Sequence, residues 1–394
     1  MKPSTELFQL VKSLSKSEKR YFKLSSSLQS GEKNYMKLFD AIECQLEYDE
    51  DALKNKFRGE TFINHLPSEK NHLYNLILKS LRGFYSDKSA AAILQEQIRN
   101  IELLVDRALY KECSKIIRKA KKMAYDYEKY YFLLDLIDWE KTLVEEEYLR
   151  GDFDKDLTKL VKEESECLEK LRNLAEYQIL YSKINYVFRT GGYIRTGEEQ
   201  VIVDEIANYH LIKGKNTALS TKAATACYYI KGLCATTERN LDDTHTNFSK
   251  VVKIMEENPM IMRELPKRYV KALNNVMFSY MDYGDWENCN AMIEKLKGLA
   301  KLKGFESADV QLKLFTYPHN AELLVNITRG NFEKAITDVV PAIINGLDEY
   351  DIKINNEEVM LFYYNISRVY FGAGDYKAAL KYINLVLNNS EKQI

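Results

Sequence analysis

The chain has 394 residues, with 58 acidic and 57 basic side chains, a formal net charge of −1, 45% apolar and 29% charged residues; this balance excludes a disordered chain and argues against a generic polyanion binder. Only 6 prolines and 16 glycines occur, below the usual shares of about 5% and 7%. Both residues break helices, so their scarcity predicts a mostly helical protein of roughly two to three domains. The start, Met1-Lys2-Pro3-Ser4-Thr5-Glu6, has no apolar run behind it, so no signal peptide is read. No stretch reaches the roughly 20 apolar residues of a membrane span. Residues 1–88 are expected to form a small helical N-terminal region, a cap or a separate domain. Its helices are placed at 5–13, 17–28, 33–48, 50–57 and 68–86. Ser68-Glu69 starts the last one, and Gly59 to Pro67 reads as a loop.

From residue 89 to 394 a turn recurs with an aromatic residue after it. Tyr110, Phe153, Trp286, Phe332 and Tyr376 follow such turns. Three turns are Gly-Asp-aromatic: Gly151-Asp152-Phe153, Gly284-Asp285-Trp286 and Gly374-Asp375-Tyr376; Gly330-Asn331-Phe332 is a close relative. The gaps between the aromatics are 43, 133, 46 and 44, and 133 is three times about 44. Two turns are therefore expected near 197 and 241, where the sequence has Gly191-Gly192 through Gly197 and Asn240-Leu241-Asp242-Asp243. Seven helical hairpins follow from this phasing: 91–107 with 110–128, 130–149 with 153–172, 174–190 with 198–212, and 216–238 with 243–257. The rest are 264–283 with 286–303, 309–328 with 332–346, and 356–372 with 376–389. Asn384, Asn388, Asn389 and Lys392 are expected to give the last helix a polar outer face.

The final hairpin carries the order and spacing of a known motif. Tyr363, Ile366, Ser367 and Tyr370 stand where W-x2-L-G-x2-Y has W, L, G and Y, and Ala379 and Ile383 stand for A-x3-F. This stretch resembles a tetratricopeptide repeat, with a period of about 44 rather than 34 residues. The resemblance implies an all-α right-handed α-solenoid of about seven antiparallel hairpins, in which the first helix of each hairpin lines a concave groove. Groove positions in the fifth hairpin would be Lys271, Asn274 and Asn275, and in the seventh Tyr364, Asn365 and Arg368; the third offers Asn185 and Arg189. Amides that bond a peptide backbone and cations that take carboxylates suit a protein or peptide partner. A non-catalytic scaffold or adaptor is the expected function.

Lys111, Lys115, Arg118, Lys122 and Lys129 form a basic stripe on one helical face, readable as a surface for nucleic acid, an acidic partner or an anionic membrane. Glu145-Glu146-Glu147 and Glu163-Glu164 could neutralise it. The alternative function is a regulator with an N-terminal nucleic-acid-binding helical module and a repeat sensor domain. The near-neutral charge of 1–88, and the lack of a tight Gly turn between two short helices there, speak against it. Phosphate-loop, dinucleotide, serine-hydrolase and zinc-protease signatures are missing, so no catalytic residue, metal or cofactor is expected. Six cysteines with no C-x-x-C spacing read as buried free thiols of a cytoplasmic protein. Plentiful Lys, Asn, Ile and Tyr, whose codons are AT-rich, suggest a bacterial source.

Overall fold

The computed structural model describes residues 5–27, 34–146, 153–350 and 354–390. Among them all regular structure is helical, and no helix is long and apolar enough to cross a membrane. Two compact units divide between Met123 and Ala124.

The first unit contains α1 (Glu6–Ser13), α2 (Lys16–Ser27), α3 (Asn34–Cys44), α4 (Glu50–Lys56), α5 (Leu66–Phe84), α6 (Ala90–Val105) and most of α7 (Tyr110–Asp126). α1, α2 and α3 pack on α5 around Val11, Leu38, Phe39, Ile42, Leu73 and Ile77, all fully buried. The segment expected as a loop at 59–67 is shorter than that. Thr61–His65 form a 3₁₀ turn, and Pro67 lies in the first turn of α5, where its missing N–H costs no hydrogen bond.

The second unit runs through α8 (Tyr130–Glu146), α9 (Phe153–Gly191), α10 (Gly197–Asn208), α11 (His210–Lys213), α12 (Thr221–Thr237), α13 (Leu241–Glu257), α14 (Pro259–Glu264) and α15 (Pro266–Asp282). It continues with α16 (Trp286–Leu299), α17 (Ala308–Arg329), α18 (Phe332–Lys334), α19 (Val340–Tyr350), α20 (Asn356–Gly372) and α21 (Tyr376–Ser390). Packing follows chain order: α8 on α9, α9 on α12, α12 on α13, α13 on α15, α15 on α16 and α17, α17 on α20, and α20 on α21.

One expected break is corrected. Helices 153–172 and 174–190 are a single 39-residue helix, α9, so this part of the chain does not form the two separate helices that the hairpin count required. No Gly or Pro interrupts it before its end. Asn173, a polar residue suited to a turn, turns its side chain outward: Nδ2 donates to the Thr217 carbonyl at 3.0 Å, and Oδ1 accepts from the Leu219 N–H at 3.0 Å. The helix backbone keeps its own bonds, and Asn173 holds the loop before α12.

The turns expected near 197 and 241 are present. Thr196 and Glu199 form a reciprocal capping box at α10, and Asn240 caps α13 by accepting from the Asp243 N–H at 3.1 Å. Six helix ends share one geometry. Ala108, Glu128, Arg239, Gly284, Gly330 and Gly374 all have positive φ. After each, the next N–H reaches back to the carbonyl five residues earlier, as in Asp285 to Tyr280 at 2.9 Å and Asp375 to Tyr370 at 3.0 Å. The turn at 150–152 lies outside the described residues.

Gly232 and Gly372 are among the glycines that permit close approach. A Cβ on Gly232 of α12 would sit 2.8 Å from the Phe248 ring of α13, and one on Gly372 of α20 would sit 2.3 Å from Phe332 of α18. In the last hairpin Ile366, Ser367 and Val369 are buried, and Tyr370 stacks on Tyr382 at 5.7 Å. Pro318 lies inside α17. There the Nδ1–H of His319 donates to the Phe315 carbonyl at 2.7 Å. Burial holds this imidazole below its ordinary pKa, so it is neutral at pH 7.

A clasp ties the turn before α8 to α12. The Glu128 carboxylate accepts the N–H groups of Thr221 and Lys222 at 2.6 and 2.8 Å, the place where a helix N-terminus favours negative charge. The Lys222 ammonium donates to the carbonyls of Tyr127 and Glu128 at 2.7 and 3.1 Å. Burial, then repulsion from Lys129, pushes the Lys222 amine down to about 8, with Glu264 and Glu128 opposing.

Candidate functional site

One face of α15 presents Lys271, Asn274, Asn275, Phe278 and Asp282 to a cavity of about 540 Å³. Their spacing is three and four residues, so they line up along the helix. The neighbouring Val270, Leu273, Val276 and Met277 are buried in the core. Across the cavity stand Asn185 and Arg189 of α9, Tyr229 of α12, Lys313 and Tyr317 of α17, and Glu358 of α20. The volume is that of an ordinary ligand pocket.

The lining is polar and incompletely satisfied. Asn275 Nδ2 donates to the Tyr229 hydroxyl at 3.4 Å. Asn274 Oδ1 and Glu358 Oε2 are buried with no hydrogen-bond partner, an arrangement native interiors rarely leave. Burial pushes the Lys271 amine down to about 8, helped by Lys313, Lys267 and Arg189 and opposed by Asp309. Burial raises the Asp282 carboxyl, and it raises that of Glu358 against the pull of Lys313.

Ser279 also lines the cavity and lies 2.8 Å from His245 Nδ1. Its hydroxyl donates to the Val276 carbonyl at 2.7 Å. A second hollow of about 560 Å³ between α9, α10 and α11 is largely apolar, with Ile179, Leu180 and Ile206 in its walls.

The structure brings Lys271, Asn274, Asn275, Asn185 and Arg189 to one cavity. It does not bring the seventh-hairpin positions there. Asn365 is 2% exposed, donates to Asn320 Oδ1 at 3.4 Å and accepts from Arg368 at 3.3 Å. Arg368 lies over the Tyr364 ring at 5.7 Å on the surface. The sequence reading missed Lys313, Tyr317, Tyr229 and Glu358.

Lys111, Lys115, Arg118 and Lys122 are exposed along α7, and none makes an ion pair among the described residues. Lys129 does not continue that stripe. It follows the left-handed turn at Glu128 and is ion-paired with Glu264. Glu164 pairs with Lys141 at 2.6 Å, and Glu163 accepts from the Tyr125 hydroxyl. Glu147 lies outside the described residues. Five cysteines are buried, and burial pushes the Cys167, Cys234 and Cys289 thiols up to about 11, 12 and 11. Cys44 is exposed, against the expectation of six buried thiols.

No protein-family model matches the chain, and no curated protein matches it.

Proposed function

We propose that the chain is a non-catalytic peptide- or protein-binding adaptor, with its later hairpins stacked as a right-handed tetratricopeptide-like solenoid and its ligand seated in the α15 cavity. One observation carries this reading: side chains from successive packed helices meet around a cavity lined by amides and cations, with the Asn274 carbonyl oxygen unpartnered. A peptide backbone offers both donors and acceptors to such amides. Cations and a carboxylate in the same lining suit its charged side chains.

The test is selection from a random peptide library displayed against the full chain, followed by affinity measurement for the enriched sequences. Enriched peptides are expected to bind wild type, and Asn274→Ala and Lys271→Met are expected to weaken them by about tenfold or more, with neither variant melting below wild type. Losing a charge-assisted contact of roughly 1.5–3 kcal/mol has that effect. A library that yields no binder, or binders indifferent to both substitutions, overturns the reading.

A further inference from the structure

We infer that the cavity clamps a dianionic oxyanion, the phosphomonoester of its ligand, between Arg189, Lys271 and Lys313. The inference rests on the peptide-binding reading for the source of that group, a phosphorylated side chain rather than a free phosphate ester.

The argument is one of charge. Three cations reach the cavity from three helices: Arg189 from α9, Lys271 from α15 and Lys313 from α17. Among the described residues none of the three has a hydrogen-bond or ion-pair partner; Lys313 only overlies the Tyr317 ring at 5.6 Å. The neighbouring Lys267 is engaged by Asp309 at 2.7 Å. Glu358 is the lining carboxylate that interacts with Lys313. Asp282 lies 11 residues beyond Lys271 on α15, about 16 Å along the axis at 1.5 Å per residue. Three positive charges against Glu358 leave an excess of two. A ligand carboxylate would cancel one of them, whereas a phosphomonoester, carrying close to two negative charges above its second pKa near 6, cancels both. The residue types fit as well: a guanidinium fork takes two phosphate oxygens, and two ammonium groups supply compact charges. Glu358 Oε2 then remains for an N–H beside the phosphate.

The same charges make binding depend on pH. The groups facing Lys271 are Lys313, Lys267, Arg189 and Asp309. With its amine pushed down to about 8, a bound dianion draws a proton onto Lys271.

The experiment is calorimetry of the full chain with phenyl phosphate at about pH 7, where the probe is mainly dianionic, and near pH 8 in two buffers of different ionisation heat. One site per chain is expected, with proton uptake near pH 8 that Lys271→Met abolishes. Lys271→Met and Arg189→Gln should each lower affinity at least about tenfold, and a monoanionic phosphodiester probe should bind at least about tenfold less tightly. Arg189 is exposed, so its substitution keeps the test open if Lys271→Met fails to fold. No saturable binding, or binding unchanged in the folded variants, overturns the inference. Library peptides compared with and without a phosphoserine separate the two readings. Peptides that bind equally well in both forms overturn the phosphate clamp and leave peptide binding intact. Phenyl phosphate binding without any peptide binding overturns the peptide reading and its phosphorylated source.

Discussion

Lys271 is an amine with no counter-charge bonded to it, in a wall that carries two further free cations. Its pKa in the fold, about 8, lies below the ordinary 10.5. Between those values the unfolded chain holds more protons than the folded one, so this group makes stability rise as pH increases from about 8 to 10.5. Below about 8 the cost of keeping the ammonium charged and half-buried is present in full. Replacing Lys271 with Met removes that cost. The variant is expected to melt above wild type near pH 7, with the gap closing as pH rises toward 10. Parallel thermal melts at several pH values check this; a gap constant with pH would show that Lys271 is not desolvated in the fold. Lys222 has a similarly lowered pKa, but it bonds two carbonyls, so its removal forfeits a clasp and gives no such clean signature.

At the scale of the element, α9 shows where sequence cues mislead. Asn173 reads as a breaker because its side chain competes with backbone bonds in isolated segments. In the fold that same capacity is directed at Thr217 and Leu219. Asn173→Ala leaves a carbonyl and an N–H of a tight loop without partners. It is expected to cost roughly 1–3 kcal/mol while leaving helix content by circular dichroism unchanged. A break of α9 at 173 with loss of helicity would contradict the assignment. The bounds of α20 and α21 were legible to within a residue, because Gly374 and Asp375 mark the turn with backbone chemistry few other residues supply. The cavity was legible only on α15 and α9. Asn274 and Asn275 lie 12 and 11 residues before Trp286, whereas Lys313 and Tyr317 lie 19 and 15 before Phe332, and Glu358 lies 18 before Tyr376. The lining therefore shifts toward the N-terminal ends of α17 and α20. A reading that kept one register in every hairpin chose Tyr364, Asn365 and Arg368, about two turns too late.

At the scale of the molecule, the last hairpin ends on a partly apolar face. Asn384 and Asn388 are exposed as a polar end requires, while Asn389 and Lys392 fall where no side chain is described. Beside them Phe371, Tyr376, Leu380 and Leu387 are 66%, 65%, 60% and 55% exposed. The reading that placed polar groups outside holds for Asn384 and Asn388; Leu387 lies between them, and Leu380 one turn before. Leu380→Lys with Leu387→Lys should shift stability by no more than about 0.5 kcal/mol per site and lower concentration-dependent light scattering. A marked fall in melting temperature would mean that these side chains pack against the protein.

The clasp at Glu128 bears on the order in which the chain can be completed. It bonds residues 93 positions apart, while the surrounding helices pack mainly on their near neighbours in sequence. Closing a flexible segment of that length costs roughly 4 kcal/mol of chain entropy beyond a constant, and contacts with so large a contact order form late. On a ribosome, where domains fold from the N-terminal side as they emerge, the turn at Tyr127 and Glu128 is synthesised nearly a hundred residues before Thr221 and Lys222 arrive to bond it. The opening turn of the second unit is thus among its last parts to be secured.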